Sequence, residues 1–351
     1  MPNNSYATRL SGAISWLRFP LIVFIILLHC YSVAALPGQH NLYFSLIYPL
    51  SLWLGETGVP AFFFISGYLF FLSRKSYAEK LKTRLHTLLL PYLLWNMLLL
   101  ALYLAAYALG HPQDIYGRNM ADYGFTDYLR LFWDRGHFDL GNFVPLLCPL
   151  WYIRNLLIMA LLSPLLYPVI KRAGIPFLAA VGIWWLLTYH NAFVQQTLLF
   201  FGLGAYFSIH GINPLETACR QKPLLLALCA AFAIGDIVSH TILPTPVNLQ
   251  LHRLSLLFNI PALLLLADAC LRHGITCKSL PDKAFIVFCV HYPLVVPLRK
   301  LIISHFGHVS DAAHILLYLL SAVIVTLLSL AFCTALERWL PAVKKLLSGN
   351  R

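Results

Sequence analysis

The chain has 351 residues, of which 60% are hydrophobic and only 11% are charged, and its formal net charge is +12. So few charged residues cannot cover the surface of a water-soluble domain of this length, and the mean hydropathy of +0.74 agrees with that. The composition excludes an ordinary soluble protein and favours an integral membrane protein. The positive charge does not indicate nucleic-acid binding, because the basic residues fall mostly between apolar runs.

Apolar runs long enough to cross a bilayer core of about 30 Å are expected to be transmembrane helices. About ten such runs are present, at 17–36, 42–73, 85–109, 146–170, 175–190, 194–210, 223–243, 251–271, 284–303 and 312–337. No internal repeat, low-complexity stretch or second domain is found among them. We therefore predict an all-α protein, a polytopic membrane helical bundle of about ten transmembrane helices that forms a single integral membrane domain over residues 1–351.

The lysines and arginines are distributed unevenly between the two sides of these predicted spans. With the N-terminus in the cytoplasm, 18 of the 25 basic residues fall on the cytoplasmic side and 7 on the other side. The positive-inside rule then predicts that both termini are cytoplasmic, and an even number of spans agrees.

One connection, residues 110–145, is much longer than the others and is predicted to be extracytoplasmic. It holds five of the 13 acidic residues, interspersed with tyrosine, phenylalanine and tryptophan: Asp114, Asp122, Asp127, Asp134 and Asp139. Carboxylates accept hydrogen bonds from hydroxyls and aromatic faces cover sugar rings, so this mixture suits a carbohydrate acceptor. An interfacial aromatic belt with a solvated acidic surface is an equal alternative.

Arg18 and His29 are eleven residues apart in the first predicted span. At about 100° and about 1.5 Å per residue they share one helix face and are separated by roughly 16 Å. Arg18 at the interface can hold a phosphate, and His29 deeper in the membrane can accept a proton from a hydroxyl. In the alternative interpretation Arg18 is a snorkelling anchor and His29 a hydrogen-bonding partner between helices.

Glu56 is predicted to lie where the second span is interrupted by Gly55, Gly58 and Pro60. A break at membrane depth is tolerated only where it lines a protein cavity, so Glu56 is a candidate catalytic residue together with His29 and Arg18. It is equally well explained as a surface carboxylate beside a short interfacial helix.

A basic cluster that includes Lys82 and Arg84 precedes the third span and could bind nucleotide phosphates, although anionic lipid is an alternative partner. His291, inside a predicted span, could line the same cavity as His29 or be a packing residue. Ser66 could be a covalent relay, but beside Gly67 it is more simply a small residue at a helix contact. No metal site is predicted, because the run from His305 to His314 does not bring enough ligands together.

With these residues identified, the chain resembles the acyltransferase 3 family of integral membrane proteins, which O-acylate cell-surface glycans. The resemblance rests on Arg18 and His29 and on six further stretches: 58–69 (GVPAFFFISGYL), 82–84 (KTR), 90–95 (LPYLLW), 150–156 (LWYIRNL), 201–206 (FGLGAY) and 291–294 (HYPL). These stretches are distributed over nearly the whole length of the chain, and they occur in the same order as in the family.

The resemblance implies a ten-helix enzyme in the bacterial cytoplasmic (inner) membrane that takes an acyl group, most often acetyl, from cytoplasmic acyl-CoA. His29 would then be catalytic, Arg18, Lys82 and Arg84 would bind the donor, and Ser66, Trp151, Arg154 and His291 would contact substrate. The acceptor would be a hydroxyl of a carbohydrate or lipid-linked glycan on the other side of the membrane. A transporter or flippase for such a glycan is the alternative function, since broken helices with polar groups also suit alternating access.

Overall fold

The computed structural model describes residues 4–30, 42–111, 114–115, 117–136, 143–189, 192–277, 279–306 and 309–350. The end of the first predicted span (31–36), part of the 110–145 connection and His308 therefore lie outside the described residues.

The described residues are predominantly helical. The α-helices are α1 (Asn4–Cys30), α2 (Tyr48–Leu72), α3 (Tyr77–Arg84), α4 (Leu90–Ala108), α5 (Phe125–Arg130), α6 (Trp151–Leu187), α7 (Phe193–Ile209), α8 (Pro214–Arg220), α9 (Lys222–Ile242), α10 (Thr245–Arg272), α11 (Leu280–Phe306), α12 (Asp311–Trp339) and α13 (Pro341–Ser348). Two short strands, β1 (Asp114–Ile115) and β2 (Arg118–Asn119), pair antiparallel.

Two π-helical turns, Tyr43–Ile47 and Leu85–Leu89, lengthen the second and third spans. Each turn ends just before a proline near the start of the following helix, Pro49 in α2 and Pro91 in α4. Because proline lacks an N–H, a carbonyl of the preceding turn loses its regular partner, and the wider turn accommodates the change. The predicted break near Glu56 does not occur, since α2 runs through Gly55, Gly58 and Pro60 without interruption.

Helix α6 is 37 residues long, which at about 1.5 Å per residue is nearly twice the thickness of a bilayer core. Its backbone is non-helical at Ala173, with φ −131° and ψ 34°. Lys171 and Arg172 lie immediately before this break, where a loop on the basic side of the membrane is expected.

The two halves of α6 run in opposite directions along α7. The first half is parallel to it, since Asn155 hydrogen-bonds Thr197 near the start of α7 and the Ile170 carbonyl lies 3.3 Å from His210 Nε2 at its end. The second half is antiparallel, in the neighbouring pairs Gly174 with Tyr206 and Trp185 with Phe200. The element is therefore a hairpin, and its halves correspond to the separate predicted spans 146–170 and 175–190.

Among the described residues, eight helical segments are long and apolar enough to cross a membrane, or nine if the bent pair α7 and α8 is one span. Counting the two halves of the α6 hairpin separately gives ten. The prediction of an all-α polytopic membrane bundle is confirmed.

Glycines allow α1, α2 and α7 to approach one another closely at the centre of the bundle. A Cβ at Gly67 of α2 would overlap the Phe201 carbonyl oxygen of α7, and one at Gly204 of α7 would overlap the Phe64 carbonyl oxygen of α2. Gly58 of α2 packs in the same way against Ile25 of α1. Small residues at such crossings replace the hydrophobic driving force that is absent between helices in lipid.

Both described termini lie at one end of the bundle. Arg9 of α1 forms an ion pair of 2.7 Å with Asp268 at the end of α10, and Gly349 after α13 packs on Thr87. We call this the basic end, because Arg9, Arg84, Lys171, Arg272, Lys283 and Lys344 cluster there. The opposite, loop end carries β1, β2 and α5, which form a small core from Ile115, Met120, Leu131 and Leu146.

Candidate functional site

A cavity of about 440 Å³ lies near the basic end of the bundle; we call it the basic-end cavity. Five of the membrane-spanning segments contribute to its wall. The polar side chains in the wall are Arg18, Ser66, Thr83, Arg84, Thr87, Tyr152 and Asp282, and the remaining wall is apolar. Two guanidinium groups and several hydroxyls therefore face one space.

Helix α1 presents Arg18 and His29 to α11. Arg18 shares the basic-end cavity with Asp282 and Phe288 of α11, whereas His29 contacts His291 and Tyr292 further along the same helix. The helix pair of α1 and α11 thus carries both groups.

His29 is half-buried and packs against two rings of α11. Its ring centroid is 5.4 Å from that of His291 and 5.2 Å from that of Tyr292, which it meets edge to face. Phe288, one turn earlier in α11, lies 5.9 Å from His291 and lines the basic-end cavity. His29 itself is not in the cavity wall and is separated from it by this layer of rings.

His291 is fully buried and its tautomer follows from its hydrogen bond. Nδ1 lies 2.6 Å from the Phe288 carbonyl oxygen, which can only accept, so Nδ1 carries the proton. Its Nε2 is then an acceptor, and it has no hydrogen-bond partner among the described residues. A buried acceptor without a partner beside His29 is suited to a substrate hydroxyl.

A second cavity, of about 540 Å³, opens at the loop end; we call it the loop-end cavity. Tyr292 is in its wall together with the four charged side chains Asp114, Arg135, Arg299 and Lys300. Tyr292 also contacts His29, and Phe288 in the wall of the basic-end cavity contacts His291. The adjacent rings of His29 and His291 therefore link residues that line the two cavities.

The sequence of the chain matches a known protein family. Residues 11–338 match the model of the acyltransferase domain family known as acyltransferase 3. The chain belongs to this family. It is therefore a multi-pass membrane acyltransferase, and the resemblance stated above is confirmed.

One relative of the acyltransferase is the succinoglycan biosynthesis protein ExoH of Rhizobium meliloti (strain 1021). The two chains are 28% identical over 304 residues, which cover 82% of this chain and 79% of ExoH. No solved structure matches the chain.

Several residues predicted to contact substrates lie outside the cavity walls of the acyltransferase. Trp151 stacks on Phe193, with ring centroids 4.0 Å apart. Arg154 donates hydrogen bonds of 2.7 Å to the carbonyl oxygens of Trp133 and Phe143, and so anchors the long connection to the bundle. Lys82 is exposed beside the basic-end cavity but does not line it. Their roles toward donor and acceptor stay predictions.

Glu56 lies in a separate polar group that joins α2, α9 and α10. Its Oε2 is 3.1 Å from His252 Nε2, and His252 Nδ1 is 2.7 Å from Asp236 Oδ2. A protonated imidazole would donate to both carboxylates. The pairing explains how carboxylates are kept at membrane depth, and the catalytic role of Glu56 stays a prediction.

Sequence reasoning missed Tyr292, Arg135, Tyr152 and His252. Tyr292 directly follows His291, and His252 is an ionisable residue inside a predicted span, so both carried a signal. Arg135 comes from the long connection and carried none. In the part of the chain that the structure describes, no group of three or more histidine, cysteine, aspartate and glutamate residues could hold a metal ion.

The described part of the long connection is stabilised by its own ion pair. Arg118 binds both carboxylate oxygens of Asp127 at 3.0 Å, and the Gly124 N–H donates to the same side chain. The Arg118 guanidinium and this N–H hold the pKa of Asp127 below its ordinary value. Phe125 and Trp133 are exposed, as an aromatic surface over a sugar or at an interface requires.

Proposed function

We propose that the protein is an O-acyltransferase that moves an acyl group, most simply acetyl, from cytoplasmic acyl-CoA to a hydroxyl of a carbohydrate or lipid-linked glycan on the extracytoplasmic side of a bacterial inner membrane. The observation that carries the proposal is that His29 contacts Tyr292, which lines the loop-end cavity, and His291, whose neighbour Phe288 lines the basic-end cavity. Such an arrangement lets donor and acceptor reach one catalytic group from opposite sides.

The donor is proposed to enter the basic-end cavity, whose end of the bundle carries the excess of positive charge expected of a cytoplasmic face. Arg18 and Arg84 offer paired N–H donors to the phosphates of coenzyme A, and Thr83 and Thr87 add hydroxyls. The pantetheine arm would then lie along the apolar wall, with the thioester directed at the ring of Phe288.

His29 is proposed to act as general base. It removes the proton of the acceptor hydroxyl as that oxygen attacks the thioester carbonyl, so the new C–O bond forms and the C–S bond breaks. The proton passes from the imidazolium to the departing thiolate, which leaves the enzyme unchanged after each turnover. No covalent enzyme intermediate is needed.

The neighbours of His29 are proposed to bind the acceptor. His291 Nε2 would accept a hydrogen bond from a second hydroxyl of the sugar, and Tyr292 would offer an aromatic face to its ring. Ser66 lies 3.3 Å from the Tyr152 hydroxyl in the basic-end cavity, where the pair would contact the acyl group or the thioester. The name of the relative ExoH, a succinoglycan biosynthesis protein, supports a polysaccharide acceptor.

The decisive experiment replaces His29 by Ala and measures acetyl-CoA turnover by purified protein in nanodiscs, together with the ester content of surface glycans from cells. Loss of the general base should lower turnover by about 10²- to 10⁴-fold while acetyl-CoA binding persists. His305→Ala is the matched control, because His305 lies on α11 but is exposed outside both cavities.

Wild-type turnover by the His29 variant would exclude the mechanism. A protein that neither binds nor consumes acetyl-CoA, yet moves a glycan across the vesicle membrane, would instead establish the transporter alternative.

A further inference from the structure

The charged residues in the wall of the loop-end cavity are mostly positive. The three cations Arg135, Arg299 and Lys300 face the same space as one carboxylate, that of Asp114. Asp134, the residue before Arg135, is buried, with one oxygen accepting from the Gly136 N–H, and it is not part of the wall.

The remainder of the wall strengthens this positive potential. Leu99, Leu102, Pro293, Val296 and Pro297 form apolar sides of the cavity. A cleft with charge of one sign and low-dielectric walls focuses its field into the cleft, and so attracts ligands of the opposite sign.

Arg135 is the innermost of the three cations. It is only 7% exposed, and its guanidinium carbon lies 5.8 Å from the centre of the Tyr292 ring, which also contacts His29. Its backbone N–H donates to the Val144 carbonyl at 2.8 Å, which fixes the position of this loop residue. An anion bound by Arg135 would lie close to Tyr292, which contacts the proposed general base His29.

Arg299 and Lys300 mark the rim of the same cavity. Arg299 follows Tyr292 by seven residues in α11, which places it on the same helix face about 10 Å further out. The distance from the innermost cation to the rim is thus on the order of one or two sugar units. Positive charge therefore lines the cavity from the neighbourhood of Tyr292, which contacts His29, to the rim.

We propose that the acceptor is an anionic glycan, bound in the loop-end cavity through a carboxylate or phosphate that Arg135, Arg299 and Lys300 contact. This inference rests on the proposed function, because the bound glycan is taken to be the acceptor of the acyl group. The anion can be an acidic sugar of the glycan itself or the diphosphate of a lipid-linked glycan, and the two sources share the same recognition chemistry.

The test measures binding of four probes to purified protein in nanodiscs at low and at high salt. The probes are a neutral glucose tetrasaccharide, the same tetrasaccharide with its terminal C6 oxidised to a carboxylate, farnesyl glucoside and farnesyl diphosphoglucose. We expect at least one anionic probe to bind about tenfold more tightly than its neutral counterpart at low salt, and this preference to shrink at high salt. The probe that shows the preference identifies the source of the anion.

Lys300→Gln should reduce that preference several-fold, and Arg299→Gln likewise. Arg130→Gln is the matched control, since Arg130 is an exposed cation of α5 at the same end but outside the cavity wall. Lys300 is itself exposed, so its substitution should leave the melting temperature unchanged.

Equal binding of charged and neutral probes would overturn the inference, as would equal losses in the Lys300 and Arg130 variants. The same preparation is assayed for His29-dependent acetyl-CoA turnover. If that turnover is present without an anion preference, only this inference fails. If the preference is present without turnover, the cavity binds an anion but the proposed function fails.

Discussion

Arg18 and Lys82 allow a direct comparison between two exposed cations at the basic end, because only Arg18 lines the cavity. A hydrogen-bonded charge pair with phosphate contributes about 1.5–3 kcal/mol. Arg18→Ala should therefore weaken acetyl-CoA binding by about tenfold or more, whereas Lys82→Gln should change it little. Isothermal titration of the two variants in nanodiscs provides the measurement.

A Lys82 variant that loses as much affinity as the Arg18 variant would show that the donor binds outside the basic-end cavity. Arg18→Lys adds a further comparison, because an ammonium keeps the charge but not the paired donors of the guanidinium. Partial recovery of binding is the result expected of a phosphate contact.

At this scale the sequence predicted some neighbours of the site and not others. Arg18, Arg84 and Ser66 line one cavity, and His29 and His291 are adjacent. Helical periodicity and residue chemistry were enough to predict these residues as candidates. Arg154 could not be assigned from spacing, since it donates to two backbone carbonyl oxygens of the long connection. Contacts of that kind depend on the tertiary path of the chain.

Among the elements, the contact of α2 with α7 is the one most sensitive to side-chain size. A Cβ at Gly67 would overlap the backbone of Phe201, which cannot move without displacing α7. Gly67→Ala should thus destabilise the bundle by at least about 1–3 kcal/mol, as overpacking typically does. The check is the melting temperature of the detergent-solubilised protein.

Gly235→Ala is the appropriate control for that substitution. Gly235 lies within α9, and a Cβ there would have no atom within 4 Å. Since alanine is the better helix former by up to about 1 kcal/mol, this variant should melt at the same temperature or slightly higher. A similar decrease of the melting temperature in both variants would mean that the close α2–α7 contact is not what makes Gly67→Ala destabilising.

The helices could be predicted from hydropathy almost completely, and the α6 hairpin shows why. Its two halves join at Ala173 with no intervening loop, yet in the sequence Lys171 and Arg172 separate two apolar runs and so indicate a turn on the basic side. The break expected at Glu56 was wrong because glycines there serve close packing on α1 and leave the helix continuous. A glycine in sequence does not distinguish these two uses.

For the whole molecule, the proposed orientation puts the basic end in the cytoplasm. Thr126 of α5 and Lys345 of α13 are exposed at opposite ends and suit single cysteine substitutions. In intact cells a membrane-impermeant maleimide should label Thr126→Cys above the background of the unsubstituted chain. Lys345→Cys should be labelled only after the membrane is permeabilised. The reverse pattern would invert the proposed orientation.

The rings of His29, Phe288, His291 and Tyr292 form a layer between the two cavities. A passage wide enough for a nucleotide or a sugar would let ions leak across the membrane down their gradients each time it opened. In the proposed reaction only the small acyl group would pass this layer, so the membrane would stay electrically insulated throughout turnover. The proposed reaction would therefore use an activated acyl group made in the cytoplasm to modify a glycan in a compartment that has no supply of acyl-CoA.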